Sequence, residues 1–164
     1  MSHAAQIRDL RADETPFLRE MLYTALAWRI DVELPPRAWV LEHPQVVPFH
    51  TAWGREGDTG LVAEEDGAPV GLAWYRFFTD EQHGEGFVDE ATPEVAVAVM
   101  DGMRGRGIGH ALMLAIHERA RAAGAERVSL SVDPDNPAKG LYLRLGYVDL
   151  AEDDEYGRMI LDLG

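Results

Sequence analysis

The feature that most constrains this chain is a buried strand that leads directly into a glycine-rich turn and then a helix. Residues 94–100 are apolar on both faces after the first position, as in a strand that is covered on both sides. Four glycines follow within residues 101–109, and residues 105–123 have the pattern of a long helix. Because a helix begins with unbonded N–H groups at the positive end of its dipole, this turn predicts an anion-binding site.

Two common phosphate-binding motifs do not fit this turn. A P-loop needs a lysine and a hydroxyl residue after its last glycine, and neither is present here. The dinucleotide-binding pattern G-x-G-x-x-G, started at Gly105 and Gly107, would need a third glycine where His110 stands. What remains is R-x-x-G-x-G at Arg104, Gly107 and Gly109, with a purely structural glycine turn as the alternative.

The composition is that of one globular domain spanning residues 1–164, with 46% apolar and 27% charged residues. The chain has no cysteine, which excludes disulfides and thiolate metal sites. Its histidines lack the spacing of a helical metal site, so no metal is predicted. No apolar run approaches the ~18 residues of a membrane span. The first residues lack an apolar signal core, so we expect a cytoplasmic protein.

The formal charge of −14 limits the classes of partner. Such a field repels nucleic acid phosphates, so nucleic acid binding is not expected. A membrane partner is not expected either. The field attracts cationic ligands, although an acidic surface can also serve solubility alone.

The remaining segments predict a mixed α/β fold in which hairpins occur early and late in the chain. An Asp66-Gly67 turn joins two of the strands as a hairpin, and Asp13 is suited to cap the first helix. Strands are predicted at residues 6–10, 60–65, 68–78, 94–100, 127–133, 147–150 and 158–162. Helices are predicted at residues 15–28, 105–123 and 136–145, with short ones near 38–42 and 46–53.

Two segments in order resemble the GNAT superfamily of N-acetyltransferases. The run Arg104-Gly105-Arg106-Gly107-Ile108-Gly109, followed by an apolar helix, is similar to motif A of that family. The segment DNPAKGLYLRLGY, from Asp135 to Tyr147, is similar to motif B. The likeness extends from about Leu61 to the end of the chain. It implies a GNAT-like acyl-CoA N-acyltransferase fold, in which helices flank a mixed, mostly antiparallel sheet.

The resemblance also implies the chemistry, which is transfer of the acetyl group of acetyl-CoA to a primary amine by direct attack in a ternary complex. The amine belongs to a small molecule or a peptide. The implied coenzyme contacts are Ala98, Val99, Met100, Arg104, Gly105, Arg106, Gly107, Ile108, Gly109, His110 and Asn136. In this scheme a backbone N–H near Val99 holds the oxyanion, Arg104 and Arg106 balance pyrophosphate charge, and Asn136 contacts the pantetheine arm. Asn136 is equally suited to cap the following helix.

Two residues are the implied catalysts. Tyr142 matches the motif B tyrosine that protonates the leaving thiolate, and its alternative role is that of a core tyrosine. Glu94 is the leading general base, although some family members carry this glutamate one position earlier, and one residue reverses the face of a strand. The alternative for Glu94 is a solvated carboxylate at a strand end. The loop before this strand, residues 79–93, is rich in acidic residues, and Glu85, Asp89 and Glu90 on this acidic loop are reserve bases or amine-binding groups.

The acceptor is not identified by the sequence. Six aromatic residues fall in the parts of the chain that build the acceptor pocket in this family, and with the acidic loop they suit an organic ammonium. They are Tyr23, Trp28, Trp39, Trp53, Trp74 and Tyr75, each of which also suits a core position. A non-catalytic acyl-CoA sensor is the alternative function, and transfer to a hydroxyl or of a longer acyl group remains open. Exposed sheet edges are compatible with a homodimer.

Overall fold

The computed structural model describes residues 5–28, 33, 35–152 and 154–164. Seven strands form one sheet in the order β1-β2-β3-β4-β5-β7-β6. The strands are β1 (Gln6–Asp9), β2 (Thr59–Glu65), β3 (Ala68–Arg76), β4 (Glu94–Val99), β5 (Arg127–Ser131), β6 (Val148–Asp149) and β7 (Arg158–Asp162). Every neighbouring pair is antiparallel except β4 and β5. The predicted mixed, mostly antiparallel sheet is confirmed.

Four α-helices accompany the sheet within the described residues: α1 (Thr15–Leu26), α2 (Arg37–Leu41), α3 (Ile108–Ala122) and α4 (Ala138–Leu145). Two 3-10 turns cover Ala12–Glu14 and Val47–Phe49. The prediction that Asp13 caps α1 is wrong, because Asp13 lies inside the first 3-10 turn and Glu14 precedes the helix. No described helix has the length and apolar character needed to cross a membrane.

The two long helices cover opposite faces of the sheet. Val95 packs into the core beneath α3, whereas Ala98 packs into the core beneath α1. Since side chains alternate along a strand, the even-numbered residues of β4 face α1. Glu94 therefore lies on the α1 face, beside its antiparallel neighbour Arg76 on β3.

Two turns have the backbone conformation that their residue types predict. Asp66 and Gly67 have φ values of 52° and 81°, so both central residues of the β2–β3 turn have the left-handed conformation expected of a two-residue hairpin. Gly146 ends α4 with φ of 101°, as a glycine after a helix is expected to do.

The parallel strands β4 and β5 pair only at the start of β4. Glu94 is aligned with Ser129 in the middle of β5, and the N–H of Ser129 donates to Pro93 O at 3.1 Å. Beyond this point the two strands separate, although β4 continues to Val99 and β5 to Ser131. The separation opens the middle of the sheet, and the candidate site is built in that gap.

Candidate active site

The gap between β4 and β5 forms a cleft of about 740 Å³. Its walls come from both strands, from the turn after β4 and from parts of α1, α3 and α4. The cleft brings together eleven of the predicted site residues, Glu94, Ala98, Val99, Arg104, Gly105, Gly107, Ile108, Gly109, His110, Asn136 and Tyr142. Met100 and Arg106 are not part of its wall. Residues more than 40 positions apart in the chain therefore meet in one cavity.

The start of α3 is an anion cradle at one end of this cleft, which we call the cofactor end. Gly107 precedes the helix with φ of 84°, and Gly105 has φ of 77°. A Cβ atom at either position would meet no atom within 4 Å, so backbone conformation rather than crowding requires glycine. No side chain caps the helix, which leaves the N–H groups of its first turn directed at the cleft. This is the arrangement that binds phosphate groups.

The two arginines of the turn take different positions. Arg104 borders the cleft, where its Nε donates to Val99 O at 3.3 Å and it pairs with Asp101 at 3.2 Å. Arg106 instead pairs with Glu65 at 3.0 Å, away from the cleft wall. Of the two arginines of the turn, Arg104 is therefore the one that lines the cleft.

Val99 presents a free N–H group to the cleft. Met100 packs into the core beneath α1 and donates its N–H to Val70 O on β3 at 2.9 Å. Because N–H groups alternate in direction along a strand, the N–H of Val99 points to the opposite edge, toward β5. Since β5 has separated there, this donor faces the cavity and can bind an oxyanion.

Glu94 is a buried carboxyl group, which contradicts the alternative of a solvated strand-end carboxylate. Its exposed fraction is 6%, and its Oε1 has no hydrogen-bond partner among the described residues. Burial raises the pKa of Glu94 to about 8, an N–H bond from Gly86 opposes the rise, and the charge of Glu85 adds to it. At neutral pH this group is poised between acid and base, as a proton acceptor near that pH must be.

A short strap, residues 84–86, packs closely against the Glu94 carboxyl group. A Cβ atom at Gly84 would lie 2.7 Å from Glu94 Oε2, and one at Gly86 would lie 2.9 Å from Glu94 Cδ and 2.8 Å from Leu130 C. Only glycine allows the chain to pass this close at either position. The sequence analysis missed the strap, although the pattern Gly-Glu-Gly inside the acidic loop was available to it.

Tyr142 lies in the wall of the cleft with an exposed fraction of 8%. Burial raises its pKa to about 12, so the phenol keeps its proton at neutral pH and can donate it. The ring packs edge-on against Tyr147 at a centroid distance of 5.8 Å. The Tyr147 hydroxyl in turn hydrogen-bonds Nε2 of buried His117 at 2.7 Å, and burial lowers the pKa of His117 to about 4. Sequence reasoning did not identify this supporting pair.

Asn136 was predicted either to contact the pantetheine arm or to cap the following helix, and its position is compatible with both roles. Its Oδ1 accepts a hydrogen bond from the Ala138 N–H at 2.9 Å, and the residue also borders the cleft. The residue that immediately precedes α4 is Pro137, so Asn136 caps from one position farther back.

The reserve carboxylates are separated by the fold. Glu85 is exposed and borders the cleft. Asp89 pairs with Arg127 at 2.5 Å, and Glu90 accepts a hydrogen bond from the backbone N–H of Asp80. Neither Asp89 nor Glu90 belongs to the cleft wall. In the described part of the chain, no three histidine or acidic residues are grouped as a metal site.

The end of the cleft around Glu94, which we call the acceptor end, is mostly apolar. Its wall combines the last turns of α1, residues 45–49 and the strap. Among the six aromatic residues considered above, Trp28 borders the cleft. Trp74 and Tyr75 are buried in the sheet, and Trp53 stacks on Arg76 at 5.1 Å. Tyr23 lies under Arg37, and Trp39 is exposed.

Known proteins resemble this chain in sequence and in fold. The L-methionine sulfoximine/L-methionine sulfone acetyltransferase of Pseudomonas aeruginosa is 35% identical over 111 residues, 65% of this chain and 62% of the relative. The mycothiol acetyltransferase of Beutenbergia cavernae is 30% identical over 144 residues, 76% of this chain and 45% of the relative. The matched region thus spans less than two thirds of either curated relative.

Two solved structures share the fold. The PaiA N-acetyltransferase of Thermoplasma acidophilum, solved with coenzyme A, superposes with a TM-score of 0.71 at 16% identity over 99% of both chains. The GNAT domain of S. lividans PAT gives 0.70 at 22% identity over 96% of this chain and 90% of that one. The model of the Acetyltransferase (GNAT) family matches residues 7–147. With that match, the chain belongs to the GNAT family of acetyltransferases.

Proposed function

We propose that this protein is an N-acetyltransferase that transfers the acetyl group of acetyl-CoA to the primary amine of a small molecule within a ternary complex. One observation carries the proposal. A single cleft has an anion cradle at one end, a buried and unpartnered carboxyl group at the other, and a protonated phenol in its wall. Family membership and the small molecules named in the two curated relatives support it.

The cofactor end would hold acetyl-CoA, which supplies an acyl group activated as a thioester. The N–H groups that begin α3 and the Arg104 guanidinium would bind its pyrophosphate. The Val99 N–H would donate to the thioester carbonyl oxygen as that oxygen gains negative charge. Ala98 and Asn136 would border the pantetheine arm.

Glu94 would act as the general base. An alkylamine with a pKa near 10.4 is mostly protonated at neutral pH, and the protonated form is not a nucleophile. The ammonium form would first lose one proton to solvent. Glu94, with a pKa of about 8, would then accept a proton from the neutral amine as its nitrogen bonds to the carbonyl carbon. The carbon–sulfur bond then breaks, and Tyr142 would give its phenol proton to the sulfur. Solvent later returns a proton to Tyr142 and removes one from Glu94.

The test is release of coenzyme A from acetyl-CoA, followed with a thiol reagent against a panel of amines. Tyr142→Phe should bind acetyl-CoA like the wild type and lower turnover by about tenfold or more, as loss of a general acid does. Tyr156→Phe removes a hydroxyl from an exposed ring outside the cleft wall and should leave turnover unchanged. Binding of acetyl-CoA without release for any amine would contradict the proposal and favour an acyl-CoA sensor.

A further inference from the structure

Charge is distributed unevenly along the cleft wall. Among the described residues, the segments that build the acceptor end contribute Glu85 and Glu94 but no lysine or arginine. The arginines of the wall, Arg104 and Arg144, come instead from the turn before α3 and from α4. Glu94 is the stronger indication of a ligand, because its Oε1 is buried, unpartnered and in the wall of an open cavity.

The arginines that border this region already have partners. Arg76, beside Glu94 in the sheet, is bound to Asp58 at 2.7 Å and donates to backbone carbonyls, including Pro48 O at 2.9 Å. Arg158 pairs with Asp154 at 2.8 Å and donates to Phe87 O at 3.1 Å. A third, Arg127, pairs with Asp89 (see above). These contacts leave none of the three guanidinium groups available to a substrate carboxylate.

The acceptor end also favours a cation with an apolar body. Leu22, Ala25, Val46 and Phe49 give it an apolar wall, and they belong to the core cluster beneath α1. The last turns of α1 border the cleft, so the negative end of the helix dipole lies at this end. An ammonium group gains from that field, and a carboxylate loses.

From this arrangement we infer that the acceptor is a primary amine with an apolar body and no carboxylate beside the amine, and that Glu85 enforces this choice. The inference rests on the proposed function. A carboxylate on the carbon that bears the amine would lie near both glutamates, and the described segments of the acceptor end offer it no lysine or arginine. It would also disfavour ionisation of Glu94, as the charge of Glu85 already does. Rejection of such a molecule is selectivity by repulsion.

The test compares matched acceptors that differ in the carboxylate. One set is phenethylamine, phenylalanine and phenylalanine amide, and another is 3-(methylsulfonyl)propylamine and methionine sulfone. The amine and the amide should exceed the amino acid in kcat/KM by about tenfold or more. The amide controls for the bulk of the substituent. Equal or preferred use of the amino acids would overturn this inference and leave the proposed function intact, whereas transfer to no acceptor would overturn both.

A charge reversal isolates the role of Glu85. Glu85→Arg places a cation at the acceptor end and should reduce the preference for amine over amino acid by about fivefold or more. Glu81→Arg is the matched control, since Glu81 is an exposed residue of the same loop outside the cleft wall, and its selectivity should stay at the wild-type value. An unchanged preference in Glu85→Arg, or an equal change in both variants, would overturn the assignment to Glu85.

Discussion

The two ends of the cleft are built in opposite ways. The cofactor end is formed largely by one continuous segment, from Val99 through the glycine turn into the first turn of α3. The acceptor end is assembled from α1, residues 45–49, the strap and the start of β4. The first end presents the positive end of a helix dipole and the second presents the negative end of another. A local segment can thus specify a common ligand, while the individual acceptor depends on parts that only tertiary packing brings together.

This division also explains how an acidic protein could bind an anionic cosubstrate. An acidic chain of net charge −14 would repel an anionic cosubstrate unless donors are concentrated where it binds. The turn before α3 provides them through backbone N–H groups and Arg104. The acidic acceptor end attracts an ammonium group instead, so each ligand would meet a field of the opposite sign.

The largest expected effect comes from the acceptor end. Glu94→Gln keeps the size of the side chain but removes the proton acceptor, so turnover should fall by about a hundredfold or more. Acetyl-CoA affinity, measured by calorimetry on the same protein, should match the wild type because Glu94 lies at the other end of the cleft. A fall in turnover of less than about threefold would assign the base to another group.

A smaller effect is expected from the cofactor end. Gly107→Ala places a Cβ at a residue with φ of 84° in the cradle, and acetyl-CoA affinity should fall by about tenfold. Gly67→Ala is the matched control, because Gly67 has φ of 81°, equally open surroundings and a position in the β2–β3 hairpin. Both variants should lose about 1 kcal/mol of stability from backbone strain. Equal acetyl-CoA affinity in both variants would contradict the assignment of this turn as the anion-binding site.

A third effect concerns the strap and the pH dependence of stability, and it is not expected to change acetyl-CoA affinity. The native pKa of Glu94, about 8 against an ordinary 4.5, means that the folded state retains a proton that the unfolded state loses. The contribution of Glu94 to the free energy of unfolding should therefore fall as pH rises from about 4.5 to 8. His117, whose pKa burial lowers from 6.5 to about 4, contributes in the opposite direction up to about pH 6.5, so the net decline should be clearest between about pH 6.5 and 8. Gly86→Ala should displace the strap and hydrate Glu94, and since burial is the main cause of the raised pKa, the decline should become shallower.

Urea unfolding at several pH values checks this prediction. Glu94→Gln provides the reference profile, because it removes the titrating group entirely. Gly86→Ala should lie between that profile and the wild type, with an overall loss of about 1–3 kcal/mol from overpacking. A Gly86→Ala profile parallel to that of the wild type would show that the strap does not control the protonation of Glu94.

Sequence reasoning succeeded where chemistry is local. The glycine turn, the Asp66-Gly67 hairpin and the end of α4 at Gly146 each depend on a few consecutive residues with distinctive backbone preferences. Periodicity also predicted the long strands and helices to within a few residues. The mostly antiparallel sheet was an implication of the GNAT resemblance, and the structure has it. The placement of Tyr142 in the cleft came from the motif B resemblance rather than from local pattern.

Features that depend on distant contacts could not be predicted from local patterns. The Arg106 side chain pairs with Glu65, which is 41 positions away. His117 is buried against Tyr147 on another element, and no local pattern marks that pair. The burial of Glu94 depends on the strap lying across β4 and β5, so the residue alone suggested a solvated carboxylate as readily as a base.

If the two ends of the cleft are functionally separate, a variant at one end should leave the function of the other end unchanged. Acetyl-CoA affinity and the preference for phenethylamine over phenylalanine would be measured in both Gly107→Ala and Glu85→Arg. The account predicts that Gly107→Ala weakens acetyl-CoA binding and leaves the preference unchanged. It predicts that Glu85→Arg changes the preference while acetyl-CoA affinity stays within about threefold of wild type. Variants that each alter both quantities equally would contradict the division of the cleft.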